Sequence, residues 1–405
     1  MLINQSFEID SCDDVELNIK RTSKLEYRIS YDDEKEIKAI VFIIGGYGAN
    51  ANIYFLDSYR NYIAKNFDVV AVHVFYHCFC QRRSDVEKYS TLADFTKDDL
   101  KLIEKVLRKY NIPCDQLANN TVVSHCEYLS EIMTELKMLN RLPYDFEERL
   151  SATFIPSRGE YQNFGIMAAI DHINALKDLV KRFPEFADLP KIYGGGSYGG
   201  YLALLIAKIA PWYVDGVIDN SGTVLPLLEC IIGKDLSRPE FFFSDLNKLV
   251  GMFIKTYWTR EDERLSYFFT NENYMIRSLL NSSHLTIQAS VNKNIILVSY
   301  HSLKDPFNTA KDKQTLFLAY KELGYDATLH LIKDESEIDG RFIKDLNHGM
   351  RITDKALFRK ELPLMLEKLQ GRKSFMQENS ISYPCGNKVF IFKDVGDKFE
   401  LVIKD

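Results

Sequence analysis

Three side chains far apart in the chain have the types and local settings for nucleophilic acyl chemistry: Ser197, Asp305 and His348. Ser197 lies in Gly194-Gly195-Gly196-Ser197-Tyr198-Gly199-Gly200. Gly-x-Ser-x-Gly marks a sharp strand-to-helix turn that lifts a hydroxyl clear of the backbone, and small flanking residues avoid collisions inside that turn. The pentapeptide alone is a weak signal. Its neighbours strengthen it. Lys191-Ile192-Tyr193 reads as a short strand leading in. Tyr201 to Ala210 (YLALLIAKIA) reads as a helix apolar on nearly every side, stopped by Pro211. A helix of that kind belongs inside a protein, against a sheet.

A serine hydroxyl is a poor nucleophile near neutral pH and needs a base, which in turn needs an orienting acid. When a serine sits in such an elbow, the partners follow it in the order acid, histidine, each at the carboxyl end of a strand. Asp305 fits the acid position, in a loop just past the strand Asn294 to Tyr300 and before the next helix. Asp312 falls within that helix, and Asp334 and Asp339 come after the following strand. His348, in Asn347-His348-Gly349, occupies a loop between the last strand and the last helix, where the glycine allows a sharp turn. His301, His330 and His284 are the weaker candidates: one follows the acid-side strand, one lies inside a strand, one lies in an insertion.

Charge developing on a substrate oxygen needs fixed donors. One is the backbone N–H of Tyr198, directly after the nucleophile. The other is expected from Gly45-Gly46-Tyr47-Gly48, with the Tyr47 N–H first and Gly46 as its neighbour. This loop lacks the Gly-Lys-Ser/Thr of a nucleotide P-loop and the Gly-x-Gly-x-x-Gly of a dinucleotide site. His77-Cys78-Phe79-Cys80 has two thiols and an imidazole, but no further ligands at a zinc spacing. No metal and no cofactor are therefore expected.

The elements that must hold these groups can be read from periodicity. Residues 3–30 alternate apolar and polar (Phe7, Ile9; Val15, Leu17, Ile19; Leu25, Tyr27, Ile29) and suggest antiparallel strands at a sheet edge. Ala39 to Ile44 and Val69 to Val74 are continuous apolar runs flanking a helix at about 52–65. Strand, helix, strand implies a parallel sheet. The core then divides into 1–77, 161–220 (with the serine turn) and 294–370 (with the acid and histidine loops). Between these lie two insertions, expected to act as lids. Residues 78–160 carry amphipathic helices near 97–110, capped by Thr96, and near 127–139. Residues 221–293 are rich in aromatic residues. Residues 371–405 read as a loop and a β-hairpin around Asp394-Val395-Gly396-Asp397.

The 405 residues are 46% hydrophobic, enough for a sizeable core, and the net charge of −6 with scattered basic residues argues against nucleic acid as a partner. The polar, acidic start MLINQSFEIDSCDD is not a signal peptide, and no apolar run reaches membrane-spanning length. Seven cysteines at irregular spacing suggest free thiols in a reducing cytoplasm.

On these residues the chain resembles the α/β-hydrolase superfamily. Gly195-Gly196-Ser197-Tyr198-Gly199-Gly200-Tyr201 is especially similar to the elbow of the prolyl-oligopeptidase and acylaminoacyl-peptidase branch, and Asp305 and His348 match that branch's acid and base in order. The resemblance spans about residues 36–75 and 160–370 and implies a mostly parallel central sheet flanked by helices. More loosely, the chain is similar to an uncharacterised family of epsilon-proteobacterial proteins often found near flagellar sugar-modification genes, which implies an acylated sugar or glycan as substrate. The expectation is a serine hydrolase of a small acyl ester, an esterase or deacylase. An acyltransferase to a sugar hydroxyl and a non-catalytic binding module are the alternatives.

Overall fold

The computed structural model describes residues 1–47, 53–76, 92–156, 160–374 and 376–405. Gly48 and the His77–Cys80 segment lie outside the described residues. The chain opens with β1 (Leu2–Ile9) and β2 (Leu25–Asp32), paired antiparallel. The stretch Val15 to Ile19, which alternates like a strand, is instead a turn closed by Asp14. The Asp14 carboxylate accepts from the Glu16 and Leu17 amides at 3.0 and 3.1 Å, so local bonds to an aspartate win over pairing.

Next come β3 (Ile40–Ile43), α1 (Ile53–Phe67) and β4 (Val70–Phe75). After the inserted elements described below, α4 (Ile166–Arg182) leads to β7 (Lys191–Gly196), α5 (Tyr198–Ile209) and β8 (Gly216–Asn220). The core closes with β11 (Ile296–Ser302), α9 (Ala310–Glu322), β12 (Asp326–Ile332) and α10 (Asp354–Lys368). The sheet has eight strands in the order β1-β2-β4-β3-β7-β8-β11-β12, and every pairing from β4 to β12 is parallel. This is the mostly parallel, helix-flanked sheet of an α/β-hydrolase fold.

Alternation along β3 explains how the sheet is covered on both faces. Ile40, Phe42 and Ile44 join one apolar cluster with α4 and α5, while Val41 and Ile43 join a second with α1 and α10. Every residue of α5 is buried, as its all-round apolar sequence demands. Its one cation, Lys208, donates to the Ile276 and Ser278 carbonyls at 2.6 and 2.8 Å, and burial lowers its pKa to about 7.

The first inserted stretch carries both expected helices, α2 (Lys97–Lys109) and α3 (Val122–Met138). The two inserted stretches also share a sheet that periodicity did not disclose. The first contributes β5 (Leu92–Asp94) and β6 (Glu148–Ile155), and the second contributes α6 (Glu229–Ile232), β9 (Phe241–Ser244) and β10 (Lys248–Ile254). Their order is β5-β6-β10-β9, and β6 pairs with β10 in parallel. The insertions thus form one cap. Lys234 of the second reaches the buried Asp99 carboxylate of the first at 3.2 Å and Thr96 Oγ1 at 2.9 Å. Helices α7 (Asn271–Arg277) and α8 (Ser282–Val291) return the chain to the core.

The tail is a three-stranded antiparallel sheet, β13 (Ser380–Cys385), β14 (Lys388–Val395) and β15 (Lys398–Lys404), one strand more than the expected hairpin. Tyr383, Phe390, Phe392 and Phe399 pack into the core cluster with α4 and α5. Asp394, near the end of β14, accepts from Lys177 Nζ at 2.6 Å and from Tyr213 Oη at 2.9 Å.

Candidate active site

Strand β7 delivers Ser197 to the carboxyl edge of the sheet. Its amide donates to the Asn220 carbonyl at 2.7 Å, continuing the β7–β8 ladder, and the chain then reverses at φ 55°, ψ −122°. A non-glycine residue in that region stores on the order of 1–3 kcal/mol of strain. The crowding expected around it is present. A Cβ on Gly195 or Gly199 would overlap the Ile44 carbonyl oxygen, and one on Gly200 would overlap the Asp219 carboxylate. Asp219 is itself fully buried and paired with Lys313 at 2.6 Å, so the floor of the elbow cannot yield. Gly196 N–H donates to Asp354 at 3.1 Å, and burial pushes that carboxyl up to about 6.

Asp305 stands in the loop after β11. One of its oxygens accepts from the amides of Phe307 and Asn308 at 2.9 and 3.1 Å, and the other faces His348 Nδ1 at 2.8 Å. Burial by itself would raise this carboxyl. The bond from His348 and the two amides outweigh that and hold it below the usual aspartate range.

His348 opens a short turn after β12, with Gly349 at φ 72° and Met350 at φ 51°. The loop is tied to two strand ends. Asn220 Nδ2 donates to the Gly349 carbonyl at 3.0 Å, the Gly349 amide donates to Ser221 Oγ at 3.2 Å, and Ser302 Oγ donates to the Leu346 carbonyl at 2.6 Å. Met350 anchors it from below, fully buried. The ring is left with Nε2 at 2.8 Å from Ser197 Oγ, and it makes a T-shaped contact with the Phe307 ring, centroids 5.3 Å apart.

The structure therefore brings Ser197, His348 and Asp305 into one hydrogen-bonded chain. The other candidates are occupied elsewhere. His301 Nε2 contacts the Asn308 carbonyl at 3.2 Å and is 3.9 Å from Asp305; His284 contacts the Pro384 carbonyl at 2.9 Å; His330 stacks on Tyr300 at 4.4 Å. Asp312 sits in the first turn of α9, capped by Thr309. Tyr198 is the first residue of α5, where an N–H has no intrahelical acceptor, and its ring meets Tyr47 edge-on at 5.6 Å with an interplanar angle of 84°. Gly46 and Tyr47 lie in the loop that follows β3, with the Tyr47 ring beside this helix start.

A cleft of about 460 Å³ opens over Ser197 and His348, walled by Phe164, Leu227, Pro239, Phe241, Phe242 and Phe307. Its far wall is the cap, which also presents Glu240. A larger hollow of about 730 Å³ lies at the amino ends of the strands, near Lys38, Asp68 and Pro190, and contains none of the three groups. Asn220, Ser221, Asp354 and Glu240 were not among the residues singled out from the sequence. Each is one polar residue among many, and only the fold gives it a position.

The structure is similar to acylaminoacyl peptidase of Pyrococcus horikoshii (14% identity, TM-score 0.46), covering 93% of this chain and 43% of that one. This chain thus spans less than half the length of that peptidase. It is also similar to the esterase Pf2001 of Pyrococcus furiosus (11% identity, TM-score 0.45), with coverage of 92% and 93%. A third similarity is to Thermogutta terrifontis esterase 2 (12% identity, TM-score 0.38), with coverage of 85% and 89%. No curated protein sequence matches the chain. One family model matches residues 5–403, and the chain belongs to that family, described as Protein of unknown function (DUF2920).

Proposed function

We propose that the protein is a serine hydrolase of acyl esters, a carboxylesterase or deacylase. One observation carries the reading: the Ser197–His348–Asp305 chain, with both links at 2.8 Å. A donor bond from Nδ1 to the ionised Asp305 leaves the Nε2 lone pair facing the serine hydroxyl. Ser197 Oγ attacks the acyl carbonyl as its proton passes to Nε2. The tetrahedral oxyanion is met by the Tyr198 and Tyr47 amides, with Gly46 beside them. Collapse expels the alcohol, which takes the proton from Nε2. Water, deprotonated by the same nitrogen, then attacks the acyl-enzyme and frees Ser197. No step calls on a metal or cofactor.

The cleft supports the substrate class. Its aromatic and aliphatic walls suit an apolar acyl group, with the leaving alcohol, a sugar hydroxyl included, toward the open mouth. The test is labelling by a fluorophosphonate probe. Wild type should label and Ser197→Ala should not; an unlabelled wild type would leave the protein as a binding module. A screen of acyl chain lengths follows. The cap over the cleft also supports transfer of the acyl group to a sugar hydroxyl instead of water, and product analysis with and without a sugar acceptor separates the two outcomes.

A further inference from the structure

Glu240 is a carboxyl group in a cleft wall that is otherwise mostly apolar, and the steps above do not use it. Among the described residues, the donors that face it are neutral. Oε1 accepts from the Tyr47 hydroxyl at 3.3 Å, and Oε2 accepts from the Ile254 amide of β10 at 3.2 Å. The cost of placing a carboxyl here is visible: burial, with Glu229 adding like charge, pushes it up to about 7. A residue serving only as packing would be cheaper as a hydrocarbon.

What the carboxyl holds is the loop after β3. Beyond the bond from the Ile44 amide to the Gly194 carbonyl at 2.8 Å, that loop leaves the sheet. Gly45 and Gly46 give it wide backbone freedom. Its described restraints include the Tyr76 hydroxyl on the Gly45 carbonyl at 3.3 Å, the Tyr47 ring against Tyr198 and Phe164, and the Tyr47 hydroxyl, which lies 3.3 Å from Glu240 Oε1 and 3.5 Å from the Cys230 carbonyl. Both acceptors of the Tyr47 hydroxyl come from the cap; Glu240 is the nearer and its anchor is firm. Glu240 precedes β9 directly and is bonded to β10.

We propose that Glu240 is a positioning residue that fixes the oxyanion loop through the Tyr47 hydroxyl, so that the Tyr47 amide is aimed only when the cap is seated. This rests on the serine hydrolase reading. A displacement of about 1 Å at a reacting group can cost on the order of 100-fold in rate, and complete loss of an oxyanion donor costs about 10² to 10³.

The test is a double-mutant cycle on the whole chain with a p-nitrophenyl ester. Tyr47→Phe removes one oxygen from the contact, and Glu240→Ala removes the nearer of the hydroxyl's two acceptors. Each should lower kcat on the order of 10- to 100-fold with KM changed less than about threefold. The double variant should be no worse than Tyr47→Phe alone, because removing the hydroxyl already breaks its bond to Glu240. Glu240→Gln keeps an acceptor for Tyr47 and should recover most of the kcat. Additive losses, or a loss confined to KM, would overturn the proposal. So would full kcat in Tyr47→Phe, the variant least able to disturb folding. If wild type itself fails to label with fluorophosphonate, the hydrolase reading falls and this falls with it. If wild type labels and the cycle is additive, only the positioning role fails.

Discussion

Replacing Asp305 by Asn is the sharpest probe of the proposed chemistry, because it changes one atom and leaves the shape alone. In the native arrangement one carboxylate oxygen accepts two backbone amides and the other faces His348 Nδ1. Asparagine has one oxygen and must choose. Keeping it on the amides of Phe307 and Asn308 turns the NH₂ toward Nδ1. That forces the ring proton onto Nε2, where it points at Ser197 Oγ and no lone pair remains to take the serine proton. The opposite flip preserves the tautomer but sets the NH₂ against two amide donors, at about 1–3 kcal/mol each. The productive flip is thus disfavoured by about 2–6 kcal/mol, a factor of roughly 30 to 10⁴. Loss of the charge facing the developing imidazolium adds to this. A fall in kcat on the order of 10⁴ is expected, with KM little changed. Steady-state and single-turnover hydrolysis of a p-nitrophenyl ester would measure it, with thermal unfolding as the folding control. Turnover within tenfold of wild type would refute the tautomer argument and the assignment of the acid with it.

Other outcomes follow from the same geometry. Gly199→Ala drives a Cβ into the Ile44 carbonyl and should cost about 3 kcal/mol, measured by urea unfolding; a neutral result would mean the elbow can spread. Asp219→Ala leaves Lys313 buried without its counter-charge and should cost about 3–5 kcal/mol in the same assay. The raised Glu240 carboxyl has a signed effect on stability. Its ordinary pKa is 4.5 and its folded value about 7, so the unfolded chain releases the proton first. Stability relative to Glu240→Gln should fall as pH rises from 4.5 toward 7 and level off above. A difference between the two proteins that stays flat over that range would count against the buried carboxyl. Leu227→Trp narrows the cleft and should shift the preferred ester toward shorter acyl chains, read as a ratio of kcat/KM values across a chain-length series.

Much was legible along the chain because it depends on near neighbours. The continuous apolar runs of β3 and β4 and the all-apolar α5 mark a sheet covered on both faces, since such segments have no side to turn to water. Small residues around Ser197 mark a turn too crowded for side chains. Thr96 and Asp99 mark a helix start through their reciprocal capping bonds. Other features were not legible for equally physical reasons. The alternation of Val15 to Ile19 looks like a strand, yet Asp14 bonds the local amides and diverts it. Strand β13 contains Pro384 and lies on the edge of its sheet, where a missing N–H is tolerated but the local strand signal is lost.

By itself the sequence determined the types of the main core elements, the position of the sharp turn at Ser197, and which residues could supply an acid and a base after it. Those properties follow from local sterics and from the period of apolar residues. Only the tertiary structure decided that His348 Nε2 meets Ser197 while Nδ1 meets Asp305, that two insertions merge into one sheet through β6 and β10, and that Glu240 reaches Tyr47. Each of these joins residues far apart in the chain. Which partners meet depends on how strands are ordered and layers are stacked, and no local pattern of residues encodes that.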